Sequence, residues 1–141
     1  PKELDTYIMG DMGSDSVALY DHKAFLFSKE KNVLSLPVTL RRVGPNNSWG
    51  DVYFSGALVF QINNGKFVLA GKIDHSDDGK KAEADYNGFN YYDNNVLRSL
   101  YINDQLYTLS NWYLKANRLP DLKETKKVEL DRRSPGFMII N

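Results

Sequence analysis

The tightest constraint in this chain is the tripeptide Asn63-Asn64-Gly65, set between the apolar runs 52–62 (V-Y-F-S-G-A-L-V-F-Q-I) and 66–73 (K-F-V-L-A-G-K-I). Asn-Gly between two such runs marks a two-residue hairpin turn, because both central residues need positive φ and these two types tolerate it best. The flanking runs are thereby committed to antiparallel strands. The upstream sequence follows the same grammar. Residues 23–28 (K-A-F-L-F-S) are a short apolar run, Lys29-Glu30-Lys31-Asn32 a polar turn, and 33–40 (V-L-S-L-P-V-T-L) resume the run. Pro37 lacks an N–H and so belongs at an edge or bulge. Residues 41–51 read as a loop. Four strands joined by short turns make a meander.

After a long polar stretch the pattern restarts. Residues 96–102 form a strand, Asn103-Asp104 a turn, and 105–110, 112–116 and 125–130 three further strands. Residues 123–127 are the most helix-compatible stretch and are too short to stand as a helix. The two meanders align: Lys23-Ala24-Phe25-Leu26-Phe27 with Arg98-Ser99-Leu100-Tyr101-Ile102, and Val33-Leu34-Ser35-Leu36 with Leu106-Tyr107-Thr108-Leu109. A repeated four-strand unit of about 40–50 residues is the mark of a propeller blade. An ordinary all-β sandwich is the competing reading. The expected fold is all-β: antiparallel four-stranded meanders, two propeller-type blades plus an extra strand over residues 4–9, a partial β-propeller.

Composition removes whole classes of function. With no cysteine, a disulfide framework, a thiolate metal site and a cysteine nucleophile are all excluded. Eighteen basic side chains balance eighteen acidic ones, which argues against a nucleic-acid partner. No apolar run reaches the ~18 residues a membrane-spanning helix needs. The nucleophile-elbow, phosphate-loop, dinucleotide and paired-histidine zinc motifs are all missing from the chain.

Residues 7–27, Y-I-M-G-D-M-G-S-D-S followed after two residues by L-Y-D-H-K-A-F-L-F, resemble the secreted bacterial and archaeal C-terminal β-propeller domain family, a distant relation of the WD-repeat propellers. The stretches 56–60, 98–102, 106–110, 115–117 and 128–130 fit the same family's final blades in order. The resemblance spans residues 7–130 and leaves out the tail 134–141. It implies a propeller fold and an extracellular or cell-envelope setting, and brings no chemistry with it.

Three groups of residues are candidates for a site. Asp74, Ser76 and Asp78 place oxygens at alternate positions ahead of Gly79, with Asp85 at the twelfth, the spacing of a calcium loop. Ca2+ is therefore the one cofactor considered; Lys80 and Lys81 inside the loop favour a solvated turn instead. Asp11, Asp15, Asp21 and His22 form a second acidic cluster, read either as a cation site or as turn caps and a buried network between blades. Tyr86, Phe89, Tyr91 and Tyr92, interleaved with asparagines and joined by Trp49 from the 44–51 loop, suit a sugar or a peptide, since rings stack and amides orient. Packing between blades is their alternative. His22 and His75 are the only imidazoles, and both are expected to be structural. Asn46-Asn47-Ser48 is a glycosylation sequon.

The expected function is a non-catalytic extracellular or envelope β-propeller module for binding or scaffolding, calcium-stabilised if the first loop binds. A carbohydrate- or peptide-binding surface on residues 86–92, and a hydrolase with residues converging across blades, are the alternatives. The expected parts are a leading strand and acidic loop (1–22), blade one (23–75), an aromatic and acidic loop (76–95), blade two (96–130) and a tail (131–141). A closed propeller needs at least about four blades, roughly 160 residues. A chain of 141 residues is thus expected either to be the end of a longer propeller or to be completed by other copies through residues 4–9 or 137–140. A protein or glycan partner is expected, with no nucleic acid and no membrane span.

Overall fold

A computed structural model describes residues 2–45, 47–76 and 94–130. The chain forms two four-stranded antiparallel sheets in simple sequential order. The first holds β1 (Leu26–Ser28), β2 (Val33–Gly44), β3 (Asn47–Asn63) and β4 (Lys66–Asp74). The second holds β5 (Arg98–Ile102), β6 (Gln105–Leu109), β7 (Tyr113–Arg118) and β8 (Glu124–Glu129). The fold is all-β and built from two propeller-type blades.

The turns form where the sequence places them. Asn64 and Gly65 take φ of 51° and 75°, and Asn32 and Asn103 take 52° and 54°. The first hairpin of blade one closes between Ser28 and Val33, that of blade two between Ile102 and Gln105. The repeat extends to the irregularities. Each last hairpin carries one bulge, at Ala70 opposite Val59 and Phe60, and at Thr125 opposite Ala116 and Asn117. Residues 123–127, the helix-compatible stretch, therefore lie mostly in a strand. Tertiary pairing overrides a weak local preference there.

Two expectations change. Residues 41–51 are not a loop. The β2–β3 ladder runs on through Arg41↔Val52, Arg42↔Asp51 and Gly44↔Asn47 by way of two register shifts. Gly50 makes this possible at φ 72°, where a Cβ would lie 2.9 Å from the Arg42 carbonyl group. The ribbon is polar because it projects from the sheet, so alternation could not announce it. The Arg42 guanidinium covers the Tyr53 ring at 4.9 Å instead.

The extra strand is also relocated. Residues 4–9 lie outside any strand, and the leading segment enters the sheet through the single antiparallel bridge Asp15↔Thr39. β1 covers β2 only from Val33 to Ser35, which leaves the edge from Pro37 onward open. The leading loop closes it. Ser16 Oγ donates to the Pro37 carbonyl at 2.5 Å, and Asp15 exchanges both backbone bonds with Thr39. Asp11 N–H donates to the Arg41 carbonyl, while Ser14 Oγ and Asp11 Oδ2 accept from the N–H groups of Arg41 and Val43. Pro37 occupies the gap between β1 and this loop, where a missing N–H costs nothing.

The core has two parts. Between the sheets, Val33, Ala57, Val59 and Ile73 pack with Val96 and Leu106, flanked by Leu26, Leu119 and Leu122. On the outer face of blade one, Val38, Leu40, Phe54, Leu58 and Phe60 form a second cluster against which Met9 packs. Tyr7 meets Phe60 edge-on at 5.0 Å, so the leading segment partly roofs this face.

Two glycines of the same ribbon give opposite expectations. A Cβ at Gly56 would lie 2.1 Å from the Ile73 carbonyl oxygen, whereas one at Gly44 meets nothing within 4 Å. Gly56→Ala is expected to lose roughly 3 kcal/mol of stability by overpacking against backbone. Gly44→Ala is expected to stay within about 0.5 kcal/mol of wild type. The urea midpoints of the two variants check both values.

Candidate functional site

Only part of the sequence candidates falls within the described residues. Tyr86, Phe89, Tyr91, Tyr92, Asp78 and Asp85 lie outside the described residues. Trp49 belongs to β3 rather than to a loop, for the reason given above, and its side chain is likewise outside the description. Asp74 and Ser76 are engaged in ending β4. Asp74 Oδ1 accepts from Ser76 N–H at 2.7 Å, and Ser76 Oγ accepts from Ser55 N–H at 3.2 Å.

The second acidic cluster is spread over separate tasks. Asp11 caps the β2 edge. Asp15 Oδ1 accepts from Ser16 N–H at 2.8 Å and from the Tyr20 hydroxyl at 3.3 Å. Asp21 accepts from Lys23 N–H and pairs with Arg98 at 2.8 Å, ties that hold its carboxyl below the ordinary range. His22 is exposed. Among the described residues no group of three or more His, Asp or Glu is arranged to hold a metal.

What the fold does assemble is a polar joint between the sheets. His75, just past the end of β4, is fully buried. Its backbone N–H donates to the Ser55 carbonyl at 2.8 Å. The ring reaches across to β6 and its end, with Nε2 2.7 Å from Thr108 Oγ1 and Nδ1 2.9 Å from Ser110 Oγ. Ser110 Oγ already accepts from Trp112 and Tyr113 N–H groups. Its lone pairs are spent, so it can only donate, to the nearer Nδ1 and to the Tyr113 carbonyl at 3.4 Å; Nδ1 is then the acceptor nitrogen, and the assigned tautomer has Nε2–H donating to Thr108. Lys115 is also drawn in, donating to the Asp74 carbonyl at 2.6 Å and pairing with Glu124 at 3.3 Å. Sequence reasoning found His75 but not its partners. The alternation Leu106-x-Thr108-x-Ser110 put two hydroxyls on one face, yet nothing linked that face to an imidazole thirty-odd residues away.

The joint is built to stay neutral. Burial, reinforced by the charges of Lys115 and Lys127, pushes the His75 pKa down from 6.5 to about 3. A neutral, enclosed imidazole hydrogen-bonded to two hydroxyls is a structural group, not a general base open to substrate. The depression lined by Gly13, Asp15, Thr39, Arg41 and Asn95 has room for about one water, too little for an organic ligand.

The outer face of blade two is different. Strand alternation sets Leu100, Ile102, Tyr107, Leu109, Leu114 and Val128 opposite the face that meets blade one. Leu100, Ile102 and Val128 are 48%, 55% and 39% exposed. Nothing among the described residues roofs this face as Met9 and Tyr7 roof the other.

Acid is expected to loosen the joint. The unfolded chain takes up a proton on His75 near pH 6.5 and the folded chain only near 3. The contribution is therefore complete above 6.5 and falls with pH below it, by up to about 1.4 kcal/mol per unit. His75→Gln should lower stability at neutral pH and flatten the decline between 6.5 and 3, as read by urea unfolding across that range. Thr108→Val should cost about 1–3 kcal/mol at pH 7, because it leaves Nε2–H buried without an acceptor.

Comparison with known proteins agrees with this architecture. A family model described as the beta propeller domain matches residues 1–122. Searches of curated proteins and of solved structures return no match. The two meander sheets packed face to face, and a family match over most of the chain, establish that this protein belongs to the beta propeller domain family.

Proposed function

We propose that this protein is a non-catalytic propeller module that binds or scaffolds another macromolecule in an extracellular or cell-envelope setting. The observation that carries the reading is the apolar outer face of blade two, where Leu100, Ile102 and Val128 stand exposed on a regular sheet and nothing among the described residues covers them. Exposed apolar patches on an ordered sheet mark interaction surfaces. Among the described residues the polar groups singled out above point the same way. His75 is sealed between the sheets, and Asp11, Asp15 and Asp21 are committed to backbone and ion-pair bonds. The extracellular setting rests on the resemblance of residues 7–130 to secreted propellers.

Purified protein is expected to turn over no member of broad ester, peptide and glycoside panels. Turnover that follows the protein through successive purification steps would overturn the non-catalytic reading.

A further inference from the structure

We infer that residues 4–9 form a releasable strap over the apolar outer face of blade one, one that opens about Gly10 while both sheets stay folded. The strap crosses blade one from the margin at β4 to the margin at β2. Leu4 lies against the β3–β4 turn, with Cδ1 3.5 Å from where a Cβ on Gly65 would stand. Asp5 Oδ2 accepts from Phe67 N–H on β4 at 2.7 Å. The Tyr7 ring meets Phe60 of β3, and Met9 packs on the cluster of Val38, Leu40, Phe54, Leu58 and Phe60. Gly10 then passes Leu40 of β2, whose Cδ2 would lie 3.3 Å from a Cβ there.

The two halves of the leading segment are held differently. From Asp11 onward it is stitched to the β2 edge by backbone and side-chain bonds, the Asp15–Thr39 pair among them. Residues 4–9 lie outside any strand and make no backbone–backbone hydrogen bond among the described residues. Leu4 and Ile8 are 75% and 88% exposed. A segment with so little buried surface and no ladder opens at a lower cost than the sheet beneath it. Gly10 stands between the halves at φ 68°, where a residue without a Cβ turns most freely. The face beneath is of the kind that another packed element must bury. Opening therefore turns an enclosed cluster into an exposed apolar patch.

One amide reports the opening. Asn63 and Lys66 close a two-residue turn as a hydrogen-bonded pair, so the next pair, Ile62 and Phe67, is not hydrogen-bonded across the ladder. Ile62 N–H accordingly donates away from β4, to the Asn32 carbonyl at 2.8 Å. Phe67 N–H points off the open edge of β4, where Asp5 accepts it. Val68, paired with Gln61, bonds to β3.

Amide exchange followed by NMR on the full chain at neutral pH tests the strap. Phe67 should be protected at least about 100-fold less than Val68, and low urea should speed Val68 while leaving Phe67 nearly unchanged. Chymotrypsin should cut after Tyr7 at a rate that low urea also leaves unchanged, since cleavage needs the strap off the face and the sheets intact. Asp5→Ala combined with Tyr7→Ser should raise the fluorescence of the dye ANS about threefold, with the circular dichroism spectrum kept. The inference is overturned if Phe67 and Val68 share one protection and one urea dependence, because the strap then leaves only on global unfolding. It is equally overturned if the Tyr7 cut needs urea, or if the doubly substituted chain keeps its spectrum and binds no more dye. Should that chain fail to fold, the wild-type exchange and cleavage decide alone.

Discussion

Everything in this structure depends on the packing of one sheet against the other. A four-stranded sheet with both faces wet has too little buried surface to offset the entropy of ordering it. Val33, Ala57, Val59 and Ile73 gain a partner face in Val96 and Leu106, and each large apolar side chain buried contributes about 1.5–3 kcal/mol. That gain is non-directional, so it does not by itself set how the sheets lie. Direction comes from the polar contacts. His75 bonds Thr108 and Ser110, Ser35 Oγ meets Ser99 Oγ at 3.1 Å, and Lys31 reaches Asp104 at 3.0 Å. Apolar burial holds the blades together, and these bonds hold them in one register.

The margins of the sheets are managed in three ways. Along β2 the leading loop replaces a missing strand, using side-chain oxygens where the backbone does not reach. At β8, the last strand of blade two among the described residues, every residue is exposed and the strand is rich in charge, which discourages another chain from adding to it. Between the blades, Leu122 wedges toward Gly71, where a Cβ would lie 2.8 Å from Leu122 Cδ1. Leu122 reaches that position at φ 54°, held by the Arg118 carbonyl and by Asn117 Nδ2. A non-glycine residue in the left-handed region is strained, and the wedge into the core is what the strain supports.

Much of the fold was legible from local chemistry. Asn64-Gly65 and Asn103 announced their turns because few residues accept positive φ, and Pro37 announced a gap in pairing because it has no N–H. Blade two was recognisable as a second copy because the succession of apolar runs and turns recurs, with a first turn two residues shorter. The 41–51 ribbon was illegible, since a projecting hairpin has no buried face to impose alternation. The site was less legible still. Asp11, Asp15 and Asp21 were adjacent in sequence and looked like one cluster, yet Asp11 and Asp15 face the β2 edge while Asp21 turns to Arg98. Adjacency along a winding loop does not mean convergence of side chains.

The sequence by itself determined the all-β class, the antiparallel order within each blade and the exclusion of cysteine chemistry, because these follow from turn stereochemistry, period-two alternation and composition. Only the tertiary structure decided which faces meet, that His75 becomes a neutral pin between blades, and that the leading segment partly roofs blade one's outer face while nothing among the described residues roofs blade two's. The reason is one of range. Turns and strands are set by neighbours along the chain, whereas burial, pKa and exposed surface are set by residues that only packing brings together.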